Sequence, residues 1–561
     1  MAGRIGVAIA LALVLAQCVA APALAQSKDA KQPSAPRFVA RTSVVLIPTT
    51  VTDRSGAHVT GLTKDDFIIL DNNQREKISI FEEIKTQPGT IRRVDPRDSG
   101  FTNAVTPEAK TQRLTMIVLD TLNTRFEDQV HARRELVKFI DEALQPDEPV
   151  ALLTISSNGL NVINDFTTDP KVLSAAVKKV RGLPTNVMIG ENDNADLESM
   201  LLLQRTSGRA PTSQDVIGDE LEGFQSGLLD SLEQMQQTNG VETTLRALRQ
   251  IAEAFSGVPG RKSLIWATGG LPFIADDPSS FNFRSSDLFP LYESAWNALN
   301  QSQIAVYPLD MGGLFNPGFV SPRFGRVIRY RRMIDSVSNL ETLAKMTGGK
   351  LCEFKMSISG CYNDAEKDAS QYYLIGYYAD VTRGKTGWRK LDVRVEKPQL
   401  TVRARNSYYV SSKPPDPKKA EHEDMDAAIL SPTDFTAVPM LVQWTGRKPD
   451  GPKVQLGFRF NVAAAGITID GEHDNLVSMA FGAFAKTAKN GIAGDFVKDL
   501  EGNLPAATAE QVAAHGVVYE GAIAVPPGKY NVRFIVRDNL SGRLGTVSVP
   551  TEVAEPVAKP Q

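Results

Sequence analysis

Residues 114–126 read Leu-Thr-Met-Ile-Val-Leu-Asp-Thr-Leu-Asn-Thr-Arg-Phe, an apolar run that stops at the carboxylate of Asp120. A strand that is buried on both faces needs such a run, and Thr115–Leu119 supplies it. In open α/β sheets, ligand sites lie beyond the carboxyl ends of the strands. Because the chain shows no nucleophile triad, zinc motif or phosphate loop elsewhere, Asp120 is the first candidate for a functional side chain.

Size and charge narrow the class of protein. The 561 residues exceed what one hydrophobic core usually supports, so roughly two to four domains are expected. The formal net charge of −3 argues against an electrostatic nucleic-acid binder.

Residues 1–25 have the three-part pattern of a secretory signal peptide. The apolar run Ile5–Ala16 is too short to span a membrane comfortably, and Ala23-Leu24-Ala25 offers a cleavage site. Cys18 suggests a lipid anchor, but Gln17 stands where a small residue is needed, so cleavage is favoured. We therefore expect an exported chain, periplasmic or secreted, without a transmembrane segment after cleavage.

Two cysteines follow the signal segment, Cys352 and Cys361. An even pair in an oxidising compartment predicts a disulfide that closes a short local loop. The alternative is a pair of free thiols.

Patterning along the chain predicts an α/β fold. From Leu114 to about Ile304, strands alternate with helical stretches, which indicates a parallel sheet with crossover helices. Short β-type runs stand on both sides of this region. The predicted divisions are a signal peptide 1–25, a small β module 38–84, an α/β domain 112–410 with a helical insertion 183–239, a linker 411–432 and a β-sandwich 433–555.

Several short sequence motifs between Phe38 and Tyr409 occur in one chain. They are Thr50–Asp53 with Gly61–Phe67, Leu119–Thr124, Ala132–Arg134, Pro259–Trp266, Gly269–Pro272, Tyr372–Tyr378 and Val402–Arg405. With them the chain resembles the bacterial VWFA-related domain family of the acidobacterial type. The resemblance implies a Rossmann-like von Willebrand factor A-type domain, between the N-terminal β module and a C-terminal sandwich that we expect to be immunoglobulin-like. It also implies adhesion or protein binding and no catalytic activity.

The same resemblance implies a candidate metal site for Mg²⁺ or Mn²⁺. In A domains the cation is held by Asp-x-Ser-x-Ser after the first strand, a Thr from a second loop and an Asp from a third. Asp120 matches the first Asp and Thr124 can replace the second Ser. Leu122 replaces the first Ser, and Gly269 stands where the third-loop Asp is expected.

Two ligands of the pattern are therefore missing. Asp310 is the candidate replacement, since its strand should end at the same sheet edge. Thr243 or Thr244 could supply the second-loop Thr, and the further candidates along this binding edge are Asn123, Thr243 and Thr268. The alternative is that Asp120 only caps a loop or a helix N-terminus, with no metal.

The sequence thus predicts an exported, non-enzymatic binding protein with a degenerate metal-ion-dependent adhesion site. Its partner is expected to be a protein or a cell-surface component rather than a nucleic acid. Two alternatives stay open. One is a metal-assisted hydrolase that uses Asp120 and Asp310, and the other is a structural extracytoplasmic scaffold.

Overall fold

The structure is a computed structural model. It describes residues 42–88, 91–93, 100–107, 112–144, 148–180, 238–273, 275–276, 288–311, 337–352, 358–380, 387–410 and 416–554. The predicted signal peptide, Cys18 and all but the last two residues of the predicted insertion 183–239 lie outside the described residues.

The N-terminal segment is built from short strands. Its first hairpin turns at Asn72 and Asn73, whose positive φ angles of 47° and 66° suit the tight two-residue turn between paired strands. In chain order the strands are β1 Thr42–Thr52, β2 Phe67–Asp71, β3 Gln74–Glu76, β4 Ile80–Lys85, β5 Gln87–Pro88, β6 Ile91–Arg93, β7 Gly100–Thr102 and β8 Val105–Pro107, with a 3-10 turn at Lys64–Asp66.

Strands and helices then alternate, as the sequence predicts. No helix in the described part of the chain is long and apolar enough to cross a membrane. The elements are β9 Gln112–Asp120, α1 Phe126–Glu142, β10 Val150–Ser156, β11 Gly159–Thr167, α2 Pro170–Lys179, α3 238–255, β12 Lys262–Thr268, α4 Leu288–Ser302, β13 Ile304–Asp310, α5 337–347 and α6 Ile358–Ser370.

These strands form a sheet in the order β11-β10-β9-β12-β13, with β5 added beside the start of β9. All neighbouring pairs are parallel except β10 with β11. Every residue of β10, β12 and β13 is buried, because helices cover both faces. The predicted α/β class with a parallel sheet is confirmed, and the strand order reverses between β9 and β12.

The strands that follow pair with the N-terminal segment, which corrects the predicted boundaries 38–84 and 112–410. β14 pairs with β1 and β4, β15 with β2, and β16 with β1. Without residues 371–410, β1 has no sheet partner among the described residues, so the two segments form one unit with the α/β region between them. The strands are β14 Gln371–Asp380, β15 Gly387–Val395, β16 Thr401–Arg403 and β17 Ser407–Val410.

The predicted linker 411–432 is also corrected, because residues 417–430 form a helix. Asp416 caps its first turn by accepting hydrogen bonds from the Lys418 and Lys419 amides, both at 3.0 Å. The side chain of Asp424 is buried between Arg249 of α3 and Arg537 of the C-terminal region. This helix, α7 Pro417–Leu430, is therefore a packed junction.

The C-terminal region forms two antiparallel sheets around an aromatic core. Their orders are β22-β19-β18-β7 and β21-β20-β23-β24, so β7 joins from the N-terminal segment. Phe458, Phe460 and Phe534 pack edge to face between them. The elements are β18 Met440–Asp450, β19 Lys453–Val462, β20 Leu476–Lys486, β21 Ile492–Asn503, α8 Ala506–His515, β22 Val517–Val525, β23 Gly528–Asp538 and β24 Leu544–Val553, with 3-10 turns at Ala464–Gly466 and Gly471–His473.

The predicted disulfide is present. Cys352 and Cys361 are bonded, with their Cα atoms 5.5 Å apart. Both side chains are buried in the hydrophobic core that the sheet forms with α1, α2 and α6. The bond therefore ties the start of α6 to the chain segment beside β13.

Candidate functional site

Asp120 lies at the point where the strand order of the central sheet reverses. It ends β9, and Thr268 ends the neighbouring strand β12. Side chains alternate between the faces of a strand, so Asp120 shares a face with Val118. That face packs against α3 and α4. Val118 and Trp266 lie in the hydrophobic core on the inner side of the site. In open α/β sheets this reversal point is where ligands bind.

The Asp120 carboxylate is buried and is fully engaged by the protein itself. Its Oδ1 accepts hydrogen bonds from the backbone amides of Leu122 at 3.0 Å and Asn123 at 2.9 Å. Its Oδ2 accepts from Asn123 Nδ2 at 2.9 Å and Trp266 Nε1 at 3.2 Å, and it shares the single hydroxyl proton of Thr268 Oγ1, at 2.8 Å, with the Gly270 carbonyl. Burial raises the pKa of Asp120, although the hydrogen bonds from Asn123 and Thr268 oppose that shift.

The side-chain amide of Asn123 joins the first loop to the second. Its Nδ2 donates to Asp120 Oδ2 at 2.9 Å and to Thr244 Oγ1 at 3.0 Å. Thr244 in turn donates to the carbonyl of Gly240 within α3. In the A-domain pattern, the cation stands between the first-loop Asp and the second-loop Thr. Here an amide group stands between the two corresponding residues.

The threonine at this position is Thr244 and not Thr243, which corrects the predicted binding edge. Thr244 is fully buried, whereas Thr243 is half-buried. One residue along a helix changes the direction of a side chain by about 100°. Among the described residues, Asn123 donates to Thr244 and no hydrogen bond joins Thr243 to Asp120 or Asn123.

The third loop leaves no room for a carboxylate at Gly269. A Cβ atom there would lie 2.7 Å from the carbonyl oxygen of Asn123 and 3.1 Å from Thr124 Cα. The Gly269 amide also donates to Thr124 Oγ1 at 2.8 Å. The loop after β9 therefore rests directly on the loop after β12, in the space that an aspartate side chain would need.

The remaining predicted ligands do not gather around Asp120. Leu122 is buried in the core beneath the sheet edge. Asp310 is opposite Thr268 in the β12–β13 register, so Thr268 lies between it and Asp120. Neighbouring strands are about 4.8 Å apart, which puts the Asp120 and Asp310 backbones roughly 10 Å from each other.

These observations test the implied metal against the residues present, and the residues do not fit it. Mg²⁺ and Mn²⁺ require several oxygen ligands with free lone pairs. The oxygens of Asp120 instead face five N–H or O–H donors, and an amide takes the bridging position. The described residues also include no group of three or more His, Cys, Asp or Glu that could hold a metal ion.

The solvent-exposed part of the site follows the hydrogen-bonded loop in the chain. Gln129 Nε2 donates to the carbonyls of Thr121 at 3.0 Å and Thr124 at 2.8 Å, which fixes the loop to the first turns of α1. Arg125 and Phe126, next in the chain, are exposed, and Phe126 retains 45% of its accessible surface. The carboxyl edge thus presents a cation and an aromatic ring beside a hydrogen-bonded loop.

Sequence reasoning missed the parts played by Trp266 and Gln129. A buried Trp needs an acceptor for its indole N–H. Trp266 lies two residues before Thr268, and hence on the same strand face as Thr268, so its proximity to Asp120 was a readable signal. Gln129 carried no comparable signal, because its partners are backbone carbonyls.

Comparison with protein-family models and with curated proteins finds no match for the chain. Among solved structures it is similar to one described as the crystal structure of the SpRpn10 VWA domain. The identity is 16% and the TM-score 0.15, over 35% of this chain and 88% of that chain. Values this low support no conclusion about function, so the description of the fold rests on the strand order given above.

Proposed function

We propose that this protein is an exported, non-enzymatic binding module with a von Willebrand factor A-like domain, which contacts a protein or cell-surface partner through the carboxyl edge of the central sheet without a metal ion. One observation carries the proposal. The carboxylate at the reversal point of the sheet faces five internal donors, while Arg125 and Phe126, which follow the buried loop Thr121–Thr124, are exposed.

The metal-assisted hydrolase is less well supported by the site. Such a reaction needs a carboxylate with free lone pairs near the substrate, and a second group close to it. Asp120 has no such freedom, and Thr268 separates it from Asp310. A structural scaffold would not need an exposed cation and ring at the reversal point.

Arg125 and Phe126 suggest the chemistry of the contact. A guanidinium can pair with a carboxylate of the partner, and an adjacent aromatic ring adds apolar contact area. In A domains that use a metal, the partner carboxylate completes the coordination of the cation. In this chain, Arg125 supplies the positive charge at the same edge of the sheet.

Calorimetric titration of the purified protein with Mg²⁺, Mn²⁺ and Ca²⁺ tests the metal-free part of the proposal. We expect no saturable heat at millimolar metal, and the same result for Asp120→Asn. Saturable binding that disappears in Asp120→Asn would contradict the proposal.

Site-specific photo-crosslinking tests the partner surface. A photoreactive residue at 125 should crosslink to a discrete partner in envelope extracts, with an unchanged yield in EDTA. The control position is Lys171, exposed at the start of α2. Because β11 runs antiparallel to β10, α2 starts at the opposite edge of the sheet. Equal products from both positions, or loss of the product in EDTA, would sink the proposal.

A further inference from the structure

A small cavity lies at the amino edge of the central sheet, where β1 approaches the ends of α4 and α5. Its volume is about 20 Å³, and its lining includes Leu46, Asn300, Thr347 and two arginines, Arg261 and Arg405. The space suits a single particle of about the size of a water molecule. Buried arginines are rare unless they are paired, so this wall calls for an explanation.

Each arginine has hydrogen-bonding capacity that the protein leaves unused. Arg261 is 2% exposed and donates to Thr50 Oγ1, Tyr307 OH and the Gly348 carbonyl, at 3.2, 3.2 and 2.7 Å.

Arg405 is 8% exposed, and among the described residues its guanidinium donates only to Asn300, over long contacts of 3.3 Å to Oδ1 and 3.5 Å to the carbonyl oxygen. In both Arg261 and Arg405 the buried Nε has no hydrogen-bond partner among the described residues.

Charge around the cavity does not balance. Asp368 is the nearby carboxylate, and it already accepts from Arg403 at 2.8 Å and from Tyr307 at 2.9 Å. The carboxyl ends of α4 and α5 each add roughly half a negative charge. Against Asp368 and these two ends stand Arg261, Arg403 and Arg405, so among the described residues about one unit of positive charge is left over. Lys262, next in the chain, directs its Nζ elsewhere, to the carbonyls of Val258 and Gly260.

We propose that this cavity binds one small monovalent anion of about the size of chloride, held between the guanidinium groups of Arg261 and Arg405. The unmatched groups on the lining arginines are N–H donors on cations, and an anion accepts from both and balances their excess charge, whereas a water molecule would leave that charge unbalanced. Phosphate and organic acids are too large for the volume.

An anion in this position would join three parts of the fold. Arg261 connects to β1 through Thr50 and to the end of α5 through Gly348. Arg405 connects to the last turn of α4 through Asn300. Desolvation also lowers the pKa of Arg405 to about 10, the response of a buried cation that lacks a carboxylate partner. Anion binding should therefore stabilise the folded protein by mass action.

Thermal unfolding at constant pH and ionic strength tests the proposal, with sodium gluconate replaced stepwise by sodium chloride. We expect the Tm to rise by roughly 2 °C per tenfold increase of chloride above the Kd. Bromide should act like chloride. The rise should vanish in Arg405→Gln, which keeps a hydrogen-bonding side chain but removes the charge. It should persist in Arg447→Gln, a control at an exposed arginine of β18.

Two results would overturn the proposal. One is a Tm that does not depend on the anion at fixed ionic strength, which would mean that the cavity holds water. The other is an anion dependence that survives in Arg405→Gln. If that variant does not fold, the chloride NMR line width decides on the wild type. Protein-induced broadening that bromide competes away supports the site, and its absence refutes it.

Discussion

The buried charged groups at the two edges of the central sheet differ in how completely the protein hydrogen-bonds them. At the carboxyl edge, one carboxylate meets five donors, and the amide of Asn123 links it to Thr244. At the amino edge, the Nε atoms of Arg261 and Arg405 have no acceptor within the described part of the chain. A buried charge alone therefore does not identify a ligand site. What distinguishes the two edges is how many of the hydrogen bonds of the charged group the fold already provides.

The signs of these charges follow from the architecture. Helices that follow parallel strands begin at the carboxyl edge of the sheet and end at the amino edge, and α2, which follows the antiparallel strand β11, is the exception here. The amino edge therefore collects helix carboxyl ends, which favour cations, and the carboxyl edge collects backbone N–H groups, which favour anions. Charge placement is thus explained at both edges, and the unmatched donors at one edge need the further explanation of a bound anion.

The largest expected effect comes from removing the satisfied charge. Asp120→Ala leaves five buried donors without their acceptor, so we expect a loss of about 3–5 kcal/mol in the free energy of unfolding, measured with urea. The control is Asp141→Ala on α1, where an exposed carboxylate makes only a distant ion pair with Lys178. That variant should stay within about 0.5 kcal/mol of wild type. Similar losses in both variants would mean that Asp120 is not held as described.

A second substitution would make the carboxyl edge resemble a cation site. Asn123→Asp puts a second carboxylate beside Asp120, where the amide nitrogen now lies 2.9 Å away. We expect a loss of about 2–3 kcal/mol at neutral pH, partly restored by millimolar Mg²⁺ or Ca²⁺. Asn123→Ala is the matched control and should lose about 1–2 kcal/mol with no response to metal. If metal fails to stabilise Asn123→Asp, the amide does not occupy the place of a cation.

Part of this architecture was readable from the sequence. The apolar run before Asp120 predicts a buried strand and places its carboxylate at a sheet edge, because both depend on local patterning. The role of Asn123 was not readable, since it fills a position that the ligand pattern leaves free. Its amide direction is set by Thr244, which is far away in the chain.

Long-range pairing and burial account for the other differences. Strand β1 pairs with β14 in a register that joins Thr42 to Asp380, and antiparallel edges of this kind carry no local signature. The helix α7 was easier to predict from the sequence, because Asp416 before Pro417 is a helix-start signal inside the predicted linker. Arg261 and Arg405 lie in sequence motifs that carry the family resemblance, but their burial depends on which segments meet at the amino edge.

The amine of Lys262, at the amino edge, is expected to give up its proton when the chain folds. Burial lowers the pKa of Lys262 from its ordinary 10.5 to about 7. The unfolded chain then binds more protons than the folded one between those values, so stability rises as the pH goes from 7 towards 10. Lys262→Met should remove a slope of up to about 1.4 kcal/mol per pH unit.

Urea unfolding of wild type and Lys262→Met at pH 7, 8 and 9 checks this slope. Burial raises the pKa of Glu253 to about 7, so this carboxyl group also titrates near pH 7, but both proteins contain it and its effect cancels when their slopes are compared. Tyrosines in the unfolded chain have a pKa of about 10, so most remain protonated at pH 9, and they are the same in both proteins. Parallel stability curves for the two proteins would show that Lys262 keeps its proton when folded.

The smallest effect separates two neighbouring threonines. Thr244→Val keeps the shape of the side chain but removes the acceptor for Asn123 Nδ2, so we expect a loss of about 1 kcal/mol in the free energy of unfolding. Thr243→Val is the control one residue earlier, and it should change stability by less than about 0.5 kcal/mol. Equal losses would place both hydroxyls outside the hydrogen-bond network. A loss confined to Thr244 would tie the satisfied state of the carboxyl edge to α3 through a single amide.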